Sequence, residues 1–208
     1  MTRFILVLPL VAVLAATGCI NVNVRLGDDT GGPVTLWNLD YARPDATPLK
    51  FNRVIRVRDF SSAGVYEMNN MILRLADGTM VESTLDRWSS RPSTQVAVLL
   101  TRDLVAEDTY DAVFTTTTTV PDRLILDGYV REFGAAEVDS VTWMAVLDID
   151  VSLLGDRCDE VIFQRNYRYE SRMPGTGYDV LAHELSMLTE IWSEEVRGDL
   201  VSCMLPRR

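Results

Sequence analysis

The sequence holds one lysine, Lys50, and one histidine, His183, among its 208 residues. A single imidazole excludes metal sites built from several histidines. A single lysine excludes lysine-based phosphate loops and polybasic membrane patches anywhere else in the chain. Basic charge is short altogether: 20 Lys and Arg stand against 30 Asp and Glu, a formal net charge of −10. Phosphate binding needs a basic face that releases counterions, so nucleic acid is excluded as a partner. The arginines that accompany the lone lysine read as codon bias rather than as a binding device. Cysteine is scarce as well, with three residues.

The missing motifs are equally informative. His183-Glu184 opens like a zinc-protease helix, but that motif needs a second histidine one turn on, and Met187 stands there. No Gly-x-Ser-x-Gly elbow occurs to make His183 part of a triad. His183 is therefore expected on the surface or at the cap of a helix. Gly31-Gly32 and Gly175-Thr176-Gly177 lack the strand–glycines–helix context of a phosphate cradle. A chain of this size buries about 70% of its unfolded surface, so it needs no metal or disulfide in order to fold. Neither a cofactor nor an enzymatic activity is expected.

What is present begins at the N-terminus. Arg3, an apolar run from Phe4 to Ala16 broken only by Pro9, and then Thr17-Gly18-Cys19 describe an export signal. The run is too short for a comfortable membrane span of about 20 residues. Ala16, Thr17 and Gly18 before Cys19 resemble the bacterial lipobox, although Ala16 sits where leucine is commoner. That resemblance implies cleavage after residue 18 and acylation of Cys19. An ordinary secretory signal with an incidental cysteine is the alternative. Removal of 1–18 takes the mean hydropathy from +0.05 to roughly −0.13, the value of an ordinary soluble domain. Residues 19–33, rich in glycine and polar side chains, read as a short lipid-anchored tether. Several acyl chains hold such an acidic body at a membrane, where one chain alone binds only marginally. In an oxidising compartment the remaining pair, Cys158 and Cys203, suits a disulfide, with two separate buried thiols as the alternative.

Residues 34–208 read as one α+β domain, a mostly antiparallel mixed sheet packed by two main helices. Short strands are expected at Val34–Leu39, Asn52–Val57 and Met71–Leu75, with an Asp77-Gly78 hairpin turn leading into Met80-Val81. Pro92 suits the first turn of a helix whose stripe is Val96, Leu99, Leu100 and Leu104. Val113–Val120, with Thr115 to Thr119, is expected as a strand because β-branched side chains favour one. Leu124–Phe133, Ser140–Leu154 and Val161–Tyr169 alternate as an antiparallel meander with one wet face. Asp179 is expected to cap a final helix striped by Leu181, Leu185, Leu188, Trp192 and Val196. Asp148 and Asp150, two apart in a strand, share a face and read as its solvated side; acid–base work would need partners that no motif supplies. Trp37, Trp88, Trp143 and Trp192 read as core anchors.

The order of these features resembles the auxiliary lipoproteins of ABC-type transporters, the paraquat-inducible type among them. The resemblance runs through Trp37-Asn38-Leu39, Arg53 to Val57, Tyr66, Met71 to Arg74, Arg87-Trp88 with Pro92, and Tyr110 to Phe114. It continues through Leu126 to Val130 with Phe133, and ends on Ala182, Leu185 and Leu188. Trp37, where tyrosine is usual, and the threonine run depart from the pattern. The resemblance implies a non-enzymatic envelope component of an intermembrane lipid transport system. Its partners would be an ABC permease and ATPase and a mammalian-cell-entry-type periplasmic lipid-binding protein, with the acyl anchor in the membrane. Ile20 rather than aspartate after the cysteine favours the outer membrane, facing the periplasm. Trp88 and its neighbours are then a candidate partner- or lipid-contacting surface, and a homo-oligomer is compatible with all of this. Two other classes stay open, a generic assembly or pilot lipoprotein and an enzyme that unites carboxylates scattered in the sequence.

Overall fold

The computed structural model describes residues 32–115, 124–155 and 160–205. Cys19, Cys158, most of the tether and the threonine run beyond Thr115 lie outside the described residues. The body is a large curled mixed sheet with two helices against one face. Its strands are β1 (Thr35–Trp37), β2 (Phe51–Val57), β3 (Ser61–Ser62), β4 (Asn70–Arg74), β5 (Met80–Trp88), β6 (Tyr110–Phe114), β7 (Leu124–Asp139), β8 (Thr142–Leu154) and β9 (Val161–Arg172). Helix α1 is Pro92–Glu107 and α2 is Tyr178–Met204, with a 3-10 turn at Gly64–Glu67.

Strand β7 is the spine. One edge takes β8 and then β9 in an antiparallel meander, as the alternation predicts. The other edge takes β2, β3 and β4 in succession, each parallel to it. The long pairings are antiparallel and the short ones parallel. Period-two patterns specify strands, but the crossovers that lay three short strands along one long one leave no mark in them. The Asp77-Gly78 turn closes the β4–β5 hairpin, with Gly78 at φ +87°, where a Cβ is strained.

Alternation sorts the meander's faces. Leu147, Ile149, Val151 and Leu153 of β8 are fully buried and face Leu126 and Val130 of β7 and the helices. Helix α1 starts at Pro92 and ends at Asp108, whose left-handed φ of 54° closes it through a hydrogen bond from its N–H to the Val105 carbonyl. Helix α2 carries its expected stripe, but Gly177 is its N-cap and Asp179 lies inside the first turn. There the carboxylate still meets the positive end of the helix, which is why the sequence signal fell two residues late. Trp192, fully buried, meets the edge of Phe60 at 6.3 Å. Phe60 in turn lies flat over Gly128, where a Cβ would come within 2.3 Å of the ring. Among the described residues no helix is long and apolar enough to cross a membrane.

Candidate functional site

The outer face of the meander gathers the sequence's carboxylates. Register places Glu132, Asp148 and Arg168 in one row across β7, β8 and β9, with Tyr129, Asp150 and Asn166 in the next. Arg168 bridges the first row at 2.9 Å to Glu132 and 2.9 Å to Asp148, and also binds Glu170 at 2.7 Å. Arg74 reaches Glu132 at 2.8 Å, and Arg131 reaches Asp150 at 2.6 Å. The amide of Asn166 donates to both Asp148 and Asp150, at 2.7 and 3.0 Å. Partial burial works against the Arg168 charge, but its bonds to Glu132, Asp148 and Glu170 raise its pKa on balance. Each carboxylate is thus occupied by a guanidinium or an amide. The arrangement staples three strands together. Among the described residues no group of three or more metal-ligating side chains occurs.

On the other side, residues 39–50 cross the two helices as a strap. The Leu39 N–H donates to the Gln95 amide oxygen on α1 at 2.8 Å, and the Asp40 N–H donates to Ser186 on α2 at 3.1 Å. Tyr41 is the clamp. Its hydroxyl donates to buried Asp103 at 2.7 Å, its carbonyl accepts from Arg102, and that guanidinium lies 4.4 Å over its ring. Ser193 of α2 donates to the same Asp103 oxygen at 2.7 Å, so one carboxylate joins strap, α1 and α2. Burial, and then the bond to Asp103, push the Tyr41 phenol well above its ordinary pKa. His183 is exposed on α2, while Glu184 beside it accepts from Ser171 at 2.5 Å.

Trp88 is fully buried, and its ring meets the edge of Phe133 at 5.3 Å. Its side chain belongs to the core, as expected of an anchor, so any contact at this place would be made by its neighbours rather than by its own ring. Its neighbours do reach the surface. Trp37 donates its indole N–H to Asp86 at 3.0 Å, while Val34, Leu36 and Leu85 beside it are exposed by 50%, 59% and 36%.

The largest cleft, about 710 Å³, opens where β2, β7, β9 and α2 end, between Phe51, Arg53, Glu160, Cys203 and Met204. Cys203 is exposed, and Gly155 and Glu160, which flank residues 156–159, border the same cleft. Tyr110 packs on Phe51 at 5.9 Å, and burial, with Cys203 nearby, raises its pKa.

Comparison with known proteins follows this geometry. Residues 37–196 match the model of the ABC-type transport auxiliary lipoprotein component family. Protein XCC0632 from Xanthomonas campestris has a similar structure, with a TM-score of 0.73, 14% identity, and coverage of 81% of this chain and 96% of that one. Hypothetical protein CT253 from Chlamydia trachomatis is similar at a TM-score of 0.53, with 8% identity and coverage of 72% and 96%. At such identities these structures speak to the fold alone. No curated protein matches the sequence.

Proposed function

Because the chain belongs to the family of ABC-type transport auxiliary lipoprotein components, we propose that it docks a periplasmic lipid-binding partner of an intermembrane lipid transporter. The partner is of the mammalian-cell-entry type, served by an ABC permease and ATPase. The observation that carries this reading is the extent of the family match, which runs from the last residue of β1 into the last third of α2 and so takes in α1 and all of β2 to β9. Acyl chains on Cys19 hold the protein in the outer membrane, facing the periplasm, and the protein itself is not an enzyme. The occupied carboxylates of the sheet face suit that role, since they stiffen a surface without offering a base.

Crosslinking in whole envelopes followed by purification tests the reading. Recovery of a lipid-binding periplasmic protein together with its permease is the expected result. Recovery of a different envelope machine alone would replace transport with an assembly or pilot role. For the anchor, Cys19→Ser is expected to release the protein from membranes and block processing before residue 19. A variant that stays bound and trimmed there would refute acylation.

A Cys158–Cys203 disulfide belongs to the same reading. It would close a loop of about 45 residues and stabilise by roughly 3–4 kcal/mol on the chain-entropy model. Protein isolated without reductant should then contain no reactive thiol at either position. Stoichiometric labelling of both under native conditions would eliminate the bridge.

A further inference from the structure

The outer face of the sheet changes character at its β1 end. Strand β1 pairs parallel with β5 in the register Leu36↔Arg87 and Trp37↔Trp88. Successive side chains alternate, so Trp37 and Trp88 share the core side while Leu36 and Arg87 share the other. Val34 and Leu85, each two residues back, lie on that outer side as well. The result is an exposed apolar trio, with Leu36 on the edge strand β1, Val34 just ahead of it and Leu85 on the adjoining β5. Hydrogen bonds from the Trp88 N–H to the Asn69 carbonyl and from the Ser89 N–H to the Trp37 carbonyl bring Met68, 57% exposed, to the same end, with Arg91 beyond it. Elsewhere on this face Arg74, Arg131 and Arg168 are ion-paired. Arg87 and Arg91 have no carboxylate partner among the described residues, although Glu67 borders the groove that Arg91 lines.

We propose that this β1 edge rests on the headgroup layer of the phospholipid bilayer; the inference builds on the anchor at Cys19. Apolar side chains on an open strand edge are a liability in water. At the boundary between headgroups and acyl chains they are buried, as in other proteins that lie on a membrane. An arginine there lays its stem along the acyl region and gives its guanidinium to phosphate oxygens. The chain's own course selects this end of the molecule. Thr35 follows Cys19 by 16 residues, which at no more than about 3.5 Å each reach at most about 56 Å. The chain enters the described body at β1, so this edge is the part of it that lies nearest the anchor along the chain. The remaining acidic surface is repelled by anionic lipid, so contact confined to this edge also sets which way the domain faces.

The test uses the mature chain from Ile20, tethered by an N-terminal hexahistidine tag to nickel-chelating lipid in phosphatidylethanolamine–phosphatidylglycerol vesicles. An environment-sensitive fluorophore is placed at Val34→Cys, or at Met187→Cys on α2 as the distant control, with Cys158→Ser and Cys203→Ser. On vesicles the label at position 34 should brighten by about twofold, as a probe does on leaving water for the headgroup boundary, and the label at 187 should not. Leu36→Glu with Leu85→Glu, or Leu36→Ser alone with its circular dichroism unchanged, should abolish the response. Equal brightening at both positions, or brightening that survives those substitutions, overturns the proposal. Brightening without vesicles that grows with protein concentration would also overturn it, because a second copy would then cover the edge. The tag replaces the acyl chains, so a failure of the Cys19 reading leaves this measurement intact.

Discussion

Asp103 is the residue whose loss should cost the fold most per atom removed. It is fully buried on α1, and its carboxylate accepts from Tyr41 and Ser193 at 2.7 Å each and from the Arg102 guanidinium at 2.9 Å. Asp103→Ala strands two hydroxyls and leaves Arg102, with 18% of its side chain exposed, without its anion. A buried donor left unpaired costs about 1–3 kcal/mol, and breaking a buried ion pair costs about 3–5 kcal/mol. These contributions overlap, and Ser193 can turn its hydroxyl to a backbone carbonyl one turn back. The expected loss is therefore about 3–4 kcal/mol. Asp103→Asn keeps an acceptor for Tyr41 and should lose about half of that. Urea unfolding followed by circular dichroism reads both, provided the slope of the transition is unchanged. Tyr41→Phe completes a cycle: it should cost about 1–2 kcal/mol in the native background and almost nothing beside Asp103→Ala. A native-like midpoint for Asp103→Ala, or a full cost for Tyr41→Phe in both backgrounds, would refute the three-way clamp.

Three further outcomes follow from packing and charge. Gly134→Ala would put a Cβ 2.4 Å from the Ile72 carbonyl oxygen, and Gly128→Ala would put one 2.3 Å from the Phe60 ring. Overpacking of this kind costs about 1–3 kcal/mol, and Phe60→Leu should rescue Gly128→Ala but not Gly134→Ala in thermal unfolding. Arg168→Ala leaves Glu132 to Arg74 alone and Asp148 to Asn166 alone, with their side chains 17% and 12% exposed. The arginine is 40% exposed, so solvent screening reduces the expected loss to about 1–2 kcal/mol, and added salt should shrink it further. At alkaline pH, Tyr66 is pushed up to about 12 by burial and then by Glu132, and Tyr41, Tyr110, Tyr167 and Tyr169 are raised as well. Folded-state values above the unfolded value of about 10 mean that the unfolded chain loses these protons first. Stability should be intact below about pH 10 and fall as pH rises through the folded values. Tyrosinate absorbance should rise together with loss of circular dichroism; ionisation of these five near pH 10 in a folded protein would contradict their burial.

Local pattern carried a large share of the fold. The meander was legible because β7, β8 and β9 alternate over long runs, and α1 because Pro92 and a regular stripe mark it. Helix α2 was legible by its stripe, though its start was set by Gly177 rather than by Asp179. Asp148 and Asp150 do share one face of a strand, although Asp148 is buried there, and their shared partner Asn166 lies 18 and 16 residues on and could be named only from register. Trp88 was read as a core anchor and, with its neighbours, as a candidate contact surface; its partner in the core, Phe133, could be named only from packing.

Periodicity, which depends on each residue and its near neighbours, determined the α+β class, and the order of short motifs from Trp37 to Leu188 carried the family resemblance. Tertiary structure alone decided that β2, β3 and β4 line up along one edge of β7, that one carboxylate at Asp103 fastens the strap to both helices, and that an apolar edge surfaces at β1. Those features join residues up to 146 positions apart. Their energies come from contacts made only when the chain closes on itself, so no local pattern could record them.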